Sequence, residues 1–574
     1  MLYTEKVIID KMEIKKEIEN LIKEALGKIG LTAPAVHLEH PDDLSFGDFS
    51  TNIAMVLAKE RKQNPKFLAE DIKNKISGSE LIEKTEVAGP GFINFFLSKK
   101  FFKESINSID ENFGKLNIYQ GKKILVEHSS PNLFKPFHIG HMMNNTIGES
   151  ITRLAQFSGA NVTKISYPSD ISLGIAKAVW EIKRKGGEKY FAEQKTDLDG
   201  AIMATLGDAY VAGTKAFEDS EDVQKEVREV YKKIISDESS EEYKIYKTGK
   251  DLNLSYFEHV VHRLGSRFDA FIFESEAGAT GEEIVRKNTP KVFTESEGAI
   301  IFEGEKFGLH TRVFINKEGF PTYEAKDIGL LSLKFSKWNP DISLFVTDHE
   351  QKEYFKVVSN AAGQINPEWK EKTIHRTHGR MSFKGAKMSS RLGGVPLATD
   401  ILNTICEEAM DRMSERDAEM ADKIAISAIK FTILKTEAGK NINFDPETSL
   451  SFEGDSGPYV QYTVARCNSL LEKAKSEGFV KKDTPESSWA PSELEKTLYR
   501  FSEVTETSVA NWAPHTVATY LLNLSRAFNS WYGNTKVLDK ENENAGFYLT
   551  LVEKTAMTLK NGLYLLGIES PERM

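Results

Sequence analysis

Apolar and polar positions change their spacing several times along the 574 residues of the chain. The apolar run at residues 124–126 predicts a short buried strand, and the Ser-, Pro- and Asn-rich stretch after it predicts a turn. After Pro136, the apolar residues Ile147, Ile151 and Leu154 recur at the spacing of one helical face. A helix that follows such a loop presents free backbone N–H groups and a positive dipole end, so this unit is suited to binding a phosphate.

The segments on either side of this unit have other patterns. Residues 87–98 predict a strand with aromatic side chains on both faces, so that one face can pack in a core while Phe92 stacks on a nucleic-acid base. Ordinary core packing is the alternative explanation of those aromatic residues. Residues 180–250 are charged and helical, which predicts a solvated helical hairpin, and helical spacing continues from about residue 400 to the end.

Composition narrows the class of protein. The chain is 40% hydrophobic and 28% charged, as in ordinary soluble proteins, and no apolar run approaches the length of a membrane-spanning helix. The N-terminus has no signal-peptide or transit-peptide pattern, and the isolated cysteines Cys406 and Cys467 argue against a disulfide framework, so a reducing cytoplasm is expected. The formal charge of −10 does not favour general nucleic-acid binding, so any contact with RNA must use local basic patches.

Candidate chemistry is concentrated first at the start of the predicted helix, where His138, Ile139, Gly140 and His141 follow Lys135. The two imidazoles and the Lys135 ammonium could neutralise charge that develops on a polyphosphate. Gly140 would let a nucleotide ring approach the backbone closely, because glycine has no Cβ. Taken alone, such a short string could also occur in a loop by chance.

A second cationic segment lies far downstream, where Lys387, Met388, Ser389, Ser390 and Arg391 stand between glycines. Such a loop is suited to closing over phosphates. The two segments, in this order, resemble the two signatures of class I aminoacyl-tRNA synthetases, and the wider context of the first resembles the arginyl-tRNA synthetase version. The resemblance covers essentially the whole chain.

The second segment departs from the class pattern at two positions. Ser390 stands where the class usually has a second lysine, and Leu392 replaces a further lysine that is common in arginyl enzymes. The resemblance implies that Lys135 substitutes for the missing lysine. Lys387 and Arg391 remain as other cations for the phosphates, so the sequence does not decide which cation takes over.

Pattern and resemblance together predict a multidomain fold. The predicted parts are an N-terminal α+β appended tRNA-binding domain at 1–115, an α/β Rossmann-like catalytic domain at 116–398 with a helical insertion at about 180–260, a helical linker at 399–445, and an all-α helical-bundle anticodon-binding domain at 446–574. In the family, the N-terminal domain contacts the D-loop corner of the tRNA.

Tyr323 and Asp327 lie four residues apart, on one face of a predicted helix. A carboxylate on a largely apolar face is costly unless it has a partner, and the planar guanidinium of a substrate would match it; a capping or surface role is the alternative. The resemblance assigns this pair to an arginine-binding element. It adds Glu127 at the end of the first strand, Asn132 in the following loop and Gln351 as a further polar contact.

The resemblance also implies roles for the other candidate residues. Catalysis would use His138, His141, Lys135 and Lys387; ATP would contact Gly140, His378, Gly379, Met388, Ser389 and Arg391; and tRNA contacts would come from Phe92, Tyr459, Gln461 and Arg466. Mg²⁺ would enter with ATP, and no dedicated protein metal site is expected. Asp170 stands in a turn where the family has a Gly-Asp-Trp-Gly sequence, and its changed neighbours leave its role open.

The resemblance implies an enzyme that joins L-arginine to tRNA(Arg) with ATP, as a cytoplasmic monomer with no DNA or membrane partner. Three alternatives stay open: a class I synthetase for another amino acid, a small-molecule nucleotidyltransferase with a similar loop, and an inactive tRNA-binding relative. Ser390 and Leu392 are the residues that make the inactive relative possible. The sequence does not give the identity bases of the tRNA.

Overall fold

The structure is a computed structural model that describes residues 12–32, 34–192, 201–384 and 397–574. The first part of the chain folds into a three-stranded antiparallel sheet with helices packed against it. The strands are β1 (Phe49–Thr51), β2 (Ile82–Ala88) and β3 (Phe92–Leu97), in the order β1-β3-β2. The helices are α1 (Met12–Lys28), α2 (Ile53–Arg61), α3 (Pro65–Lys73) and α4 (Lys99–Asn107).

The middle of the described chain contains a five-stranded parallel sheet, a three-stranded antiparallel sheet and a two-stranded parallel pair. Its strands are β4 (Lys123–Glu127), β5 (Asn161–Ser166), β6 (Ala270–Phe271), β7 (Thr294–Ser296), β8 (Ala299–Phe302), β9 (Arg312–Ile315), β10 (Ile342–Asp348), β11 (Thr373–His378), β12 (Met381–Phe383) and β13 (Ile442–Phe444). Its helices are α5 (Ile139–Phe157), α6 (Leu173–Arg184), α7 (Glu188–Ala192), α8 (Ala201–Asp219), α9 (Glu221–Ser236), α10 (Glu241–Arg263), α11 (Glu274–Lys287), α12 (Tyr323–Trp338), α13 (Lys352–Ile365) and α14 (Pro367–Glu371). The parallel sheet has the order β11-β10-β4-β5-β6.

Helices cover both faces of the parallel sheet, which is why β4 is apolar at consecutive positions. Ile124 and Val126 pack with Ile151 of α5 on one face, while Leu125 packs with Leu330 of α12 on the other. A strand buried on both faces needs a continuous apolar run rather than an alternating one. The prediction of an α/β, Rossmann-like domain is therefore confirmed.

Helices α11 and α12 approach each other at backbone distance, and α12 carries several of the candidate site residues. A Cβ built on Gly329 would lie 1.9 Å from the carbonyl oxygen of Ala277, and one built on Gly281 would lie 1.9 Å from the carbonyl oxygen of Ala325. Only glycine fits at these two crossing points. The pair therefore fixes how closely α12 lies against its neighbour.

The insertion after β5 forms helices α6 to α10 rather than the predicted hairpin. Its charged surface covers an apolar core to which several helices contribute, with Ile202, Leu206, Val227, Ile234 and Ile245 all buried. The prediction was wrong because charged residues dominate the composition of the segment, whereas the fewer apolar residues determine its packing.

Asp170 anchors this insertion to the end of β5. Its buried carboxylate accepts hydrogen bonds from Lys250 Nζ (2.7 Å) and Tyr246 Oη (3.1 Å) of α10, and from the backbone N–H and the hydroxyl of Ser275 (2.9 Å each). Four donors satisfy the two carboxylate oxygens. The role that the sequence left open is therefore structural.

The last part of the chain is helical, as predicted. Its helices are α15 (Ala398–Asp411), α16 (Ala418–Leu434), α17 (Pro446–Ser449), α18 (Gly457–Ser476), α19 (Glu493–Leu498), α20 (Phe501–Asn511), α21 (Pro514–Asn534) and α22 (Ala545–Leu565). Tyr499 packs edge-on against Phe101 and Phe102 of α4, with ring centroids 5.3 and 5.8 Å apart, so the first and last parts of the chain share one hydrophobic core. In the described part of the chain, no helix has the length and apolar composition needed to span a membrane.

Replacing Gly329 with alanine should lower the free energy of unfolding by about 1–3 kcal/mol, because the new methyl group would push α12 away from a backbone carbonyl. Gly207 of α8 is the matched control, because a Cβ there would meet nothing within 4 Å. Gly207→Ala should stabilise the fold by about 0.5–1 kcal/mol. Denaturant unfolding of the three proteins measures both changes, and wild-type stability of Gly329→Ala would contradict the backbone contact.

Candidate active site

A cavity of about 760 Å³ opens where β4, β10 and β11 end. In a parallel sheet, ligands bind at this edge because the loops after the strands converge there. The cavity is lined by nine of the predicted site residues: Glu127, Asn132, His138, Gly140, His141, Tyr323, Asp327, Gln351 and His378. The fold therefore brings the first signature and the candidate arginine-binding residues into one space.

The first signature forms the N-terminus of α5, which begins at Ile139. His138 Nδ1 accepts a hydrogen bond from the backbone N–H of Gly140 (3.1 Å), and His141 Nδ1 accepts one from the N–H of His138 (3.3 Å). The two rings stack with their centroids 3.8 Å apart. Because Nδ1 is the acceptor, the proton of each neutral ring lies on Nε2, which leaves an N–H donor for a phosphate oxygen.

Burial changes the charge expected of these two rings. Burial lowers the pKa of His141 to about 3, and burial together with the nearby Lys135 lowers the pKa of His138. Both imidazoles are therefore neutral at pH 7, and the prediction that they act as cations is corrected: they are hydrogen-bond donors. The positive charge of this region lies on the exposed Lys135, whose Nζ is 4.8 Å from the centroid of the Tyr210 ring.

The structure describes the strand before the second signature but not the signature itself. Lys387, Met388, Ser389 and Arg391 lie outside the described residues, and so does Ser390. Their contacts with ATP remain predictions.

His378 is buried at the end of β11 and is held by Asn144 of α5. His378 Nδ1 lies 2.7 Å from the Gly379 carbonyl oxygen and donates to it, and His378 Nε2 lies 3.4 Å from Asn144 Nδ2. The same Nδ2 donates to the Val346 carbonyl (2.7 Å), and Asn144 Oδ1 accepts from the N–H of Ser129 (2.6 Å). Asn144 thus joins the signature helix to three strand ends, a role that a lone asparagine in a helical pattern does not reveal.

The candidate glycines are required by packing, whatever their role toward ATP. A Cβ on Gly379 would lie 2.2 Å from the carbonyl oxygen of Lys440, and one on Gly140 would lie 3.0 Å from Cε1 of His138. Of the two glycines, Gly140 lines the cavity.

Six carboxylates line the cavity, and five of them have a basic partner among the described residues. The ion pairs are Glu127 with Lys334, Glu274 with Lys326, Glu324 with Arg312, and Asp348 and Glu350 with Arg380. The sixth carboxylate is Asp327, which has no basic partner in the described part of the chain. The cavity therefore presents one acid whose charge the described protein does not balance.

Asp327 is held in place by Tyr354, whose Oη donates a hydrogen bond to it at 2.6 Å. Burial raises the pKa of Asp327 to about 7; the Tyr354 hydrogen bond opposes this rise and the nearby Glu127 carboxylate adds to it. A cation that entered the cavity would lower this pKa and release the cost of burying the charge. The site is therefore suited to a ligand with a positively charged end.

Lys334 is the functional neighbour that the sequence analysis missed. Its side chain is 2% exposed, and its ion pair with Glu127 joins α12 to the end of β4. Lys334 lies seven residues after Asp327, on the same helical face, so the helical period carried a signal that could have found it. Because Lys334 compensates Glu127, the uncompensated charge of the cavity lies on Asp327.

The remaining arginine candidates lie at the rim of the cavity. Asn132 and Gln351 are exposed, and Tyr323, at the first turn of α12, is 63% exposed. They can contact a ligand without first breaking an interaction of the folded protein.

The candidate tRNA residues divide into two groups. Gln461 is fully buried, and its Nε2 donates to the carbonyl of Glu569 (2.7 Å), so the prediction that it contacts RNA is wrong. It lies on the side of α18 that packs against the end of the chain, a contact that helical spacing alone did not show. Tyr459, Arg466 and Phe92 are only partly buried and remain candidates.

Models of known families match three consecutive parts of the chain. The N-terminal domain of arginyl tRNA synthetase matches residues 13–97, the catalytic domain of class I (R) tRNA synthetases matches residues 105–445, and the DALR anticodon-binding domain matches residues 460–574. Together these models account for all three parts of the fold.

Known proteins match over nearly the full length. An arginine–tRNA ligase of Clostridium perfringens is 31% identical over 98% of this chain and 100% of its own, and one of Treponema denticola is 30% identical over the same shares. The solved arginyl-tRNA synthetase of Thermus thermophilus, 24% identical over 98% of this chain and 100% of its own, has the same fold with a TM-score of 0.78. The chain therefore belongs to the arginyl-tRNA synthetase family of class I tRNA synthetases.

Proposed function

We propose that the chain is an arginine–tRNA ligase. It activates L-arginine with ATP to arginyl-adenylate and pyrophosphate, and it transfers the arginyl group to the terminal adenosine of tRNA(Arg). The observation that carries the amino-acid assignment is Asp327, an acid with a raised pKa and no basic partner among the described residues, in the cavity that the signature histidines also line.

Arginine is held at its charged groups. Asp327 accepts hydrogen bonds from the guanidinium, whose planar fork of donors matches a carboxylate better than a lysine ammonium does. Glu127 attracts the α-ammonium group, and Asn132, Tyr323 and Gln351 at the rim orient the amino acid. The lining of one cavity by these residues supports this arrangement.

Activation depends on positioning and on charge neutralisation. The arginine carboxylate attacks the α-phosphate of ATP, and the bond to pyrophosphate breaks. His138 and His141 donate their Nε2–H groups to phosphate oxygens, while Lys135 and Lys387 balance the charge of the departing pyrophosphate. A ribose hydroxyl of the terminal adenosine then attacks the arginyl carbonyl, and AMP leaves.

The remaining contacts to ATP come from both signatures. These residues are Gly140, His378, Gly379, Met388, Ser389 and Arg391. Mg²⁺ enters with ATP, because the described residues contain no group of three or more metal-ligating side chains. Bound in this way, it neutralises phosphate charge.

Partner and location follow from the reaction. Phe92 of the N-terminal domain and Tyr459 and Arg466 of α18 contact the tRNA by stacking and by charge. The protein acts as a cytoplasmic monomer on tRNA(Arg), arginine and ATP, without DNA or membrane partners. Family membership and the DALR anticodon-binding match at residues 460–574 support the tRNA assignment.

Asp327→Asn should raise the KM for arginine about 100-fold or more, because a buried guanidinium without a counter-charge loses on the order of 3 kcal/mol. Aminoacylation assays with varied arginine and varied ATP measure this, and the KM for ATP should stay within about twofold. Asp222→Asn is the matched control, since the side chain of Asp222 is 87% exposed on α9. An unchanged KM for arginine, or wild-type charging of another amino acid in preference, would contradict the assignment.

The KM for arginine should also depend on pH in a defined direction. Burial raises the pKa of Asp327 to about 7, so below that pH the free enzyme carries a neutral acid and arginine must displace a proton. Arginine KM should therefore rise as pH falls below about 7, by up to tenfold per pH unit. The rise should be absent in Asp327→Asn, and a wild-type KM that stays flat from pH 7 to pH 5.5 would contradict the raised pKa.

A further inference from the structure

A second cavity of about 600 Å³ opens beside β11, the strand at one edge of the parallel sheet, and the mechanism above does not use it. Its lining residues are Phe307, Leu309, Lys352, Phe355, Lys356, Ser359, Asn360, Lys370, His375, Arg376, Thr377 and Ala438. Four of these are lysine or arginine, and none is aspartate or glutamate. This lining differs from that of the first cavity, where five carboxylates are paired with bases.

The cations of this second cavity are largely uncompensated. Lys356 pairs with Glu353 at 2.7 Å on the surface, but Lys352, Lys370 and Arg376 have no carboxylate partner among the residues that the structure describes. Arg376 donates one Nη group to a backbone carbonyl, while its Nε is buried without a hydrogen-bond partner. Clustered positive charge against low-dielectric walls attracts an anion.

His375 shows that the charges act on the same space. Burial, followed by the nearby Lys352 ammonium, lowers the pKa of His375 to about 4. The imidazole is therefore neutral at pH 7, and Thr347 Oγ1 lies 2.7 Å from its Nε2. The anion would thus meet fixed lysine and arginine charges rather than a titrating histidine.

Aromatic and apolar side chains border the same cavity. Phe307, at the end of the short helical turn Gly304–Phe307, is 48% exposed and stacks on Phe302 with ring centroids 5.6 Å apart. Leu309 and Phe355 add apolar wall. Cations beside an exposed aromatic ring are the combination that binds single-stranded nucleic acid, since phosphates meet the cations while a base stacks on the ring.

The two cavities share part of their walls. Phe355, Ser359, Lys370 and His375 line both of them. A polymer that lies in the second cavity can therefore continue into the first. A free anion would gain nothing from this continuity, whereas the tRNA end must bring its last nucleotide to the activated amino acid and leave the nucleotides before it close by.

We propose that the second cavity binds the nucleotides that immediately precede the terminal adenosine of the tRNA. Lys352, Lys356 and Lys370 neutralise their phosphates, and Phe307 stacks on a base. The proposal rests on the proposed function, because it takes tRNA as the substrate that enters the first cavity. It assigns to these residues the positioning of the RNA end, and no part in the chemistry of activation.

The double variant Lys352→Ala/Lys356→Ala tests this assignment. Both lysines line only the second cavity, are exposed, and lie four residues apart on α13, where alanine maintains the helix. The matched control is Lys225→Ala/Lys232→Ala on α9, which removes the same charge from two surface ion pairs whose lysines are 73% and 65% exposed. A loss caused by total charge alone would appear in both variants.

Binding is measured with two probes, a full-length tRNA(Arg) transcript and the same transcript without its last three nucleotides. The wild type and the control should bind the full-length transcript at least tenfold more tightly, and the cavity variant should lose this preference. Its slope of log affinity against log salt should become shallower by about 1.4, since each single-strand phosphate contact contributes about 0.7. An unchanged preference in the cavity variant, or an equal loss in the control, would overturn the proposal.

Steady-state assays separate this proposal from the proposed function. The KM values of the cavity variant for arginine and ATP should stay within about twofold of wild type while its KM for tRNA rises. If the KM for ATP rises and the preference for the intact RNA end stays, the cavity binds free nucleotide and the RNA assignment is overturned. If the wild type fails to charge arginine at all, the proposed function is overturned, and the binding comparison still decides whether the cavity holds an RNA end.

Discussion

One buried carboxylate without a cation is the constraint on which the catalytic domain depends. Isolated buried charge is costly, and the protein avoids that cost at Glu127, Glu274 and Glu324 by pairing each with a lysine or an arginine. Asp327 is treated differently: a tyrosine hydroxyl holds it, and burial raises its pKa to about 7. The ligand that supplies the missing positive charge is therefore selected by electrostatics as well as by shape.

This selection works only if Asp327 keeps its position relative to the phosphate-binding helix. Two glycine crossings press α12 against α11, and the Lys334–Glu127 ion pair ties the same helix to β4. On the other side of the cavity, Asn144 ties α5 to the ends of β10 and β11. The acid and the signature histidines are thus attached to one parallel sheet, whose strand ends set the distance between the amino acid and the phosphates.

The sequence predicted the residues that carry a local pattern. The strand before the first signature, the helix N-terminus at His138, and the Tyr323–Asp327 pair all follow from spacing, and the structure has them at one cavity. Their partners were not predictable in this way. Tyr354 and Asn144 reach the site through tertiary contacts between elements that are far apart in the chain, so a periodic pattern does not identify them.

Charge and burial were the harder quantities to predict. The neutral state of His138 and His141 depends on how deeply the fold buries them, and a motif does not state that. Gln461 was placed on a polar helical face, but the end of the chain covers it. The second cavity could not be foreseen either, because Phe307, Lys352 and Arg376 come from three separate segments and share no motif.

Binding of arginine and of citrulline, measured side by side on the wild type and on Asp327→Asn, tests the central claim most directly. Citrulline has nearly the shape of arginine but no charge on its side chain, so it cannot compensate the buried carboxylate. The account predicts that the wild type prefers arginine by about 100-fold or more and that the preference falls below about tenfold in Asp327→Asn. Equal preference in the two proteins would contradict it.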